Sequence, residues 1–402
     1  MKLCFSEILM ATSSCLDFVE MDNLGATLNH SKRVAYLSLR LGQHLGLDES
    51  EQQDLFAASL LHDNGLAQDA VGFDDPREYK DIQNRERLQQ HCAIGAENLA
   101  SLPVGPKAIE AVKYHHEYFD GSGNFGLSGS NIPIAGQIIS LTDGVDNRFH
   151  FEKPNVGNRQ QIVDFVRSAK NKLFTKELVQ AFLDISSSPA FWLDLQEPYF
   201  HIKLHQLAPK LLLQLSWKEL YGHCKVFSRI VDGKSRFTAR HSSGLTEKAE
   251  QVAIHLGMDE DQRYQFMISA SLHDLGKLAI PNRILNKSGP LTKDEFSHMQ
   301  SHTYLTRKAL EQVQPFEELT EWSANHHEKL DGSGYPYGFK AEALCFEARL
   351  MSVLDIYQAL TEDRPYRKGM SPEKTSEIIK EQVHQGFLDP RASEVVNQVF
   401  LA

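Results

Sequence analysis

Ten of the 18 histidines in this 402-residue chain fall at paired positions. His30, His62, His91, His115 and His116 recur as His241, His273, His302, His326 and His327, and Asp63 recurs as Asp274, each displaced by 211 residues. Asp143 recurs as Asp355, displaced by 212. One His-Asp pair alone is weak ground for chemistry, because a lone buried histidine is usually a hydrogen-bonded core residue. The same pair with an upstream His, a downstream His, a His-His pair and a final Asp, twice at preserved spacing, is hard to explain by core packing. Five imidazoles and two carboxylates form an N/O ligand set that suits Fe, Mn, Zn or Ni better than Mg or Ca, which prefer all-oxygen shells.

Residues so far apart in sequence must be gathered by tertiary structure, and the intervening segments read as helices. Apolar residues recur at three- and four-residue spacing and alternating strand patterns are scarce. In EQQDLFAASLLHD, Leu55, Ala58, Ser59 and Leu61 make one small-to-apolar face leading into His62 and Asp63. Gly-rich turns at Asp120-Gly-Ser-Gly and Asp331-Gly-Ser-Gly punctuate the helices. The expected fold is all-α: two tandem helical bundles over about 1–188 and 217–402, with a helical connector over 189–216 that has its own apolar face. Such a face packs between domains more often than it floats, so the first bundle is expected to pack on the second.

Composition bounds the rest. Hydrophobic residues at 41% and charged residues at 24% suit a folded chain with a sizeable core. With 42 Lys+Arg against 53 Asp+Glu the net charge is −11, which argues against a DNA or RNA polymer as partner. An anionic ligand then needs a local positive patch or a metal. The cysteines, Cys4, Cys15, Cys92, Cys224 and Cys345, are odd in number and never in a C-x-x-C arrangement, so no disulfide framework is implied. No run of about 18 apolar residues is present to span a bilayer. The expectation is a reduced, cytoplasmic protein with no membrane partner and no sensor or receiver module ahead of the repeat.

With these residues in place, the sequence resembles the HD superfamily of metal-dependent phosphohydrolases and, within it, the HD-GYP phosphodiesterases of bacterial cyclic dinucleotides. The second copy carries His241, His273-Asp274-Leu275-Gly276-Lys277, His302, His326-His327-Glu328, Asp331-Gly332-Ser333-Gly334-Tyr335-Pro336, Asp355 and Asp363-Arg364-Pro365-Tyr366-Arg367 over about 130 residues. The tandem layout with a degenerate first copy is similar to bacterial phosphodiesterases of 3'3'-cyclic GMP-AMP. The implied activity is hydrolysis of that cyclic dinucleotide to linear 5'-pApG. Cyclic di-GMP, giving 5'-pGpG, is the alternative substrate, and a 5'-nucleotidase side activity is conceivable. A non-catalytic cyclic dinucleotide receptor is the alternative of another class; a ppGpp or nucleotide hydrolase is disfavoured by the Gly-Tyr-Pro and Arg-Pro-Tyr-Arg elements.

The site expected from these residues holds two divalent transition-metal ions, Fe or Mn, with Ni or Zn also compatible. Asp274 can bridge them; His241, His273 and Asp355 complete one, and His302, His326 and His327 the other. Two such metals about 3.5–4 Å apart activate water and stabilise both the attacking and the leaving oxygen of an in-line displacement. Lys277 follows Asp274 by three residues and His273 by four, so a continuous helix puts all three on one face, with the ammonium toward the phosphoryl group. Gly334, Tyr335 and Pro336 are expected to shape the substrate cleft, Tyr335 stacking on a base. Arg364 and Arg367 suit phosphate or the guanine edge.

The first copy keeps His30, His62, Asp63, His91, His115, His116 and Asp143, a second candidate metal site. Leu66 stands in place of Lys277, Gly123-Asn124-Phe125 in place of Gly334-Tyr335-Pro336, and no Arg-Pro-Tyr-Arg run follows Asp143. That copy is expected to be slow or inactive and to serve packing or regulation. Some family members carry a Glu four residues before the first His that helps hold a third metal; here those places are Ala26 and Phe237, which points to two metals in the second copy.

Overall fold

The helices begin where the sequence supplies caps. Asp48 and Glu51, Asp259 and Gln262, and Thr292 and Glu295 form reciprocal capping boxes at three helix starts, each satisfying backbone N–H groups that the first turn leaves unpaired. A computed structural model describes residues 1–69, 85–149, 156–196, 199–235, 241–363 and 368–401. By contact the chain divides into an N-terminal unit, Cys4–Leu212, and a C-terminal unit, Leu213–Ala402 with Met1–Leu3. Among the described residues the named strands are Lys2–Cys4 and Leu212–Gln214, which pair. The fold is otherwise helical, as the apolar periodicity requires.

Both units run through the same order of principal helices. The N-terminal unit has α1 (Phe5–Leu24), α2 (His30–His44), α3 (Glu49–Leu60), α4 (Arg85–Leu99), α5 (Pro106–Tyr114) and α6 (Ile134–Phe149). The C-terminal unit has α7 (Trp217–Gly233), α8 (His241–His255), α9 (Glu260–Leu272), α10 (Lys293–Leu310), α11 (Glu317–Ala324) and α12 (Phe346–Thr361). In each, the second helix packs on the third and the sixth, and the fourth on the fifth. The C-terminal core joins Leu245, Val252, Phe266, Leu350 and Leu354, all fully buried. Each such Leu or Phe contributes about 1.5–3 kcal/mol by leaving water.

The stretch 189–216, set apart in the sequence as a connector, contributes the helices Pro189–Leu193 and Tyr199–Leu207 to the N-terminal unit. Its apolar face explains this: the Phe200 ring meets Tyr36 on α2 edge-on at 6.2 Å, and Trp192 Nε1 donates to the Ser186 carbonyl. Among the described residues no helix is long and apolar enough to cross a membrane, and no disulfide joins any of the five cysteines.

Candidate metal centres

In the C-terminal unit the candidate ligands come from helix ends that meet in the core. His241 opens α8, His273 closes α9, His302 lies on α10, His326 and His327 follow α11, and Asp355 lies on α12. His273, Asp274, His302 and His326 are at most 2% exposed. Their rings are held from behind: Nδ1 of His273 bonds the Ala270 carbonyl at 2.8 Å, His302 that of Met299 at 2.6 Å, and His326 that of Ser323 at 2.6 Å. A carbonyl only accepts, so each Nδ1 carries a proton and each ring turns Nε2 inward, as a lone pair on His302 and His326.

Those lone pairs converge. Nε2 of His302 and of His326 are 3.4 Å apart, and burial pulls His302 down to about 3 and His326 well below the usual histidine range. Both rings are therefore neutral, and two lone pairs at this distance suit a cation between them. Nε2 of His273 and Oδ1 of Asp274 are buried without a hydrogen-bond partner. Ligand atoms of His241, His273 and Asp355 lie within 4.8 Å of one another, as do those of His302, His326 and His327, and of His273, Asp274 and His326. Asp274 faces both sides: Oδ2 is 3.1 Å from His273 Nε2 and Oδ1 is 3.5 Å from His302 Nε2. The donor set and its orphaned atoms fit divalent transition metals.

Lys277 reaches this cluster by a different route from the one its spacing suggests. The α-helix does not continue past His273; Asp274 caps a 3₁₀ turn, Leu275–Ala279, in which residues three apart eclipse. The Lys277 ammonium thus bonds Asp274 Oδ2. Burial would raise the Asp274 carboxyl, but His273 and Lys277 hold it well below the carboxylate range. The break is enforced by contact with α10. A Cβ on Gly276 would lie 2.0 Å from the His302 carbonyl oxygen, and Thr306 Oγ1 accepts from Gly276 N while donating to the His273 carbonyl.

Several positioning residues escape the spacing argument. Glu362 bonds Nδ1 of His241 at 3.2 Å while Asp355 holds Nε2 at 3.0 Å; burial opposes the proton, yet these two carboxylates raise His241 to about 9. Asp232 accepts from the Ser242 hydroxyl at 2.6 Å and so anchors the start of α8, as Asp17 does through Ser31 at the start of α2. Glu328 accepts from the backbone N–H groups of Tyr337 and Phe339 and thereby shapes the Gly334-Tyr335-Pro336 loop, with the Tyr335 ring 4.9 Å from His327. Glu117 binds Phe125 and Leu127 in the same way. The C-terminal loop is therefore one residue longer, which accounts for the change from 211 to 212. Only the Glu117/Glu328 pair, inside the repeated His-His-Glu, leaves a sequence signal. Arg364, Arg367 and Phe237 lie outside the described residues.

The N-terminal unit gathers its own set. Asp63 Oδ1 is 3.3 Å from His91 Nε2 and 3.4 Å from His115 Nε2, and His30 Nε2 is 3.2 Å from Asp143. The His116 ring stands edge-on to His91 at 5.1 Å. Nδ1 of His62 and of His115 again bond the carbonyls three residues back, Ser59 and Val112. Leu66, fully buried, supplies no charge to Asp63. Cys92, where the second copy has Thr303, places its thiol 3.5 Å from His91 Nε2.

Two helical bundles, each gathering histidines and aspartates from helix ends around a central His-Asp pair, define a class of metal-centre proteins. The chain belongs to the HD domain family, which matches residues 19–149 and 225–392. It is 32% identical to the 3'3'-cGAMP-specific phosphodiesterase 1 of Vibrio cholerae over 95% of this chain and 88% of that one. Over 40% of the chain and 44% of the relative it is 32% identical to a cyclic di-GMP phosphodiesterase of Thermotoga maritima. The fold matches the crystal structure of a cyclic GMP-AMP-specific phosphodiesterase of V. cholerae with a TM-score of 0.71, at 24% identity, covering 99% of this chain and 97% of that one.

Proposed function

We propose that the chain is a metal-dependent phosphodiesterase whose C-terminal unit hydrolyses 3'3'-cyclic GMP-AMP to linear 5'-pApG. The observation that carries this reading is the convergence of two ligand groups on Asp274 with the Lys277 ammonium beside it; the similarity over almost the whole chain to the V. cholerae enzyme supports the substrate. His241, His273 and Asp355 would hold one ion, His302, His326 and His327 the other, and Asp274 both, with Fe or Mn as the ions. Such ions, when bound, supply an activated water and charge stabilisation at the phosphoryl group.

The remaining work falls to the chain. Lys277, its side chain about one-fifth exposed and its head on Asp274, is placed to meet a non-bridging phosphoryl oxygen where charge develops. Burial of the surrounding rings keeps bulk water away and the imidazoles of His302, His326 and His327 neutral. Tyr335, held over His327 by the Glu328-fixed loop, offers a face to a base. Arg364 and Arg367 are assigned to phosphate or guanine through the family resemblance. The N-terminal unit, lacking a counterpart of Lys277, is assigned a packing or regulatory role, and cysteines outside any disulfide suit a cytoplasmic setting.

Cyclic di-GMP is the second reading, favoured by the matches of the C-terminal part to cyclic di-GMP phosphodiesterases. The test is chromatographic product analysis after incubating Mn- or Fe-loaded protein with 3'3'-cyclic GMP-AMP, cyclic di-GMP and cyclic di-AMP in parallel. Preferential conversion of the mixed dinucleotide is expected. Turnover of cyclic di-GMP alone would keep the mechanism and change the substrate, and no turnover by metal-loaded protein would favour a receptor.

A further inference from the structure

We infer that the N-terminal unit holds a metal centre of its own, completed by Glu20, a carboxylate without an equivalent in the C-terminal unit. Glu20 lies on α1, is 2% exposed, and turns Oε2 to 3.5 Å from His30 Nε2. Its other oxygen accepts from the Ser31 hydroxyl at 3.1 Å, which fixes the carboxylate in this pose. Oε2 has no hydrogen-bond partner. Neither have four further buried atoms of the same cluster: Nε2 of His30, of His62 and of His115, and Oδ1 of Asp63. Ligand atoms of Glu20, His30 and His62 lie within 4.8 Å of one another.

Charge makes the arrangement more demanding than that of the other unit. Glu20, Asp63 and Asp143 all converge on the imidazoles of His30 and His62. In the C-terminal unit the Lys277 ammonium lies on the central aspartate, whereas here that place is Leu66, an apolar side chain. A buried polar atom left without a hydrogen bond costs about 1–3 kcal/mol, more when it is charged, and a cation among these five would give each a partner. Ala26, four residues before His30, offers only a methyl, and Glu20 reaches the same imidazole from a different helix. In the C-terminal unit the repeat spacing puts Val231 at the place of Glu20, and the Asp17/Asp232 equivalence puts Ser235 there; neither is a carboxylate. The two centres are thus built differently: Glu20 and Asp143 face Nε2 of His30, whereas Asp355 and Asp274 face Nε2 of His241.

This inference is independent of which dinucleotide the other unit cleaves, and its test uses no substrate. The full chain carrying His273→Ala and Asp274→Asn, which disable the C-terminal centre, is stripped with chelator, reloaded with Mn²⁺ or Zn²⁺, dialysed and assayed for metal by mass spectrometry. Retention of about one ion or more per chain is expected, and adding Glu20→Gln should raise the Kd at least tenfold. Glu20→Gln keeps the volume and the Ser31 contact while removing the ionisable carboxyl, so the stripped variant should unfold no earlier than its parent in a thermal melt. Metal-free protein after reloading would show a histidinium–carboxylate network in place of a centre and overturn the inference. Unchanged affinity in Glu20→Gln would remove Glu20 from the ligand set. Were Glu20→Gln to unfold early, Glu20→Asp, which retains the charge and withdraws it by one methylene, supplies the same readout.

Discussion

Lys277 separates the two copies most sharply, because among the described residues its ammonium is the one Lys or Arg head group on the central aspartate of a centre. Lys277→Ala should lower kcat by about 10²–10³-fold, the usual cost of removing a donor aimed at developing charge, while metal content stays near that of the parent. Steady-state kinetics with metal analysis on one preparation checks this, and a parallel loss of metal would make Lys277 a structural prop for Asp274. Asp232 gives a pH signature. Burial raises its carboxyl to about 6 against an ordinary 3.8, and the Ser242 hydrogen bond and His241 offset this only in part. A folded value above the unfolded one gives stability that is complete below the unfolded value and lost as pH climbs through the folded value. Relative to Asp232→Asn, which does not titrate, the chelator-stripped parent should lose about 1.5 kcal/mol between pH 5 and pH 8. Urea melts at the two pH values measure it, and a pH-independent difference would show that Asp232 is ionised throughout.

The element that makes each centre is the turn at the close of the third helix, and its geometry rests on a glycine. Gly276 and Gly65 bring the turn against the His302 and His91 carbonyls, where a Cβ would sit 2.0 and 2.1 Å from oxygen. Backbone on both sides cannot yield as a flexible side chain would, so Gly276→Ala should cost about 3 kcal/mol or more and lower metal content as His302 is displaced; denaturant melts and metal analysis report both. This turn also marks the limit of what the sequence reveals. Helix content and the gathering of histidines are legible because period and repetition are local or self-comparing signals. The 3₁₀ break after His273 is not, since it is imposed by α10 arriving from some thirty residues downstream. Glu362 and Asp232 are equally hidden: each acts on His241 or its neighbour through a contact set by tertiary packing. Glu20 is hidden for the same reason, having no repeat partner to betray it. The connector over 189–216 shows the reverse case: its apolar residues are visible in the sequence, and only the fold identifies the surface they pack on.

At the scale of the whole chain, repetition means two separately built cores, each closed around converging lone pairs and carboxylates. Metal that binds the folded but not the unfolded state stabilises by RT ln(1 + [L]/Kd), about 2.7 kcal/mol at a hundredfold excess over Kd. For units of this size that corresponds to a rise of about 5–10 °C in Tm. Chelation should therefore lower thermal stability, and Mn²⁺ should restore it. Because each unit has its own core and its own ligand set, the response should be divisible. Asp274→Asn should abolish the metal-dependent shift of one calorimetric transition, and Asp63→Asn that of the other. The same pair of variants divides function: Asp274→Asn should remove turnover altogether, since among the described residues the central aspartate with an ammonium beside it is Asp274, whereas turnover lost on Asp63→Asn alone would transfer the chemistry to the N-terminal centre. A single transition that responds to either substitution would mean that the units unfold as one cooperative body, and the metal of each centre would then stabilise the entire chain.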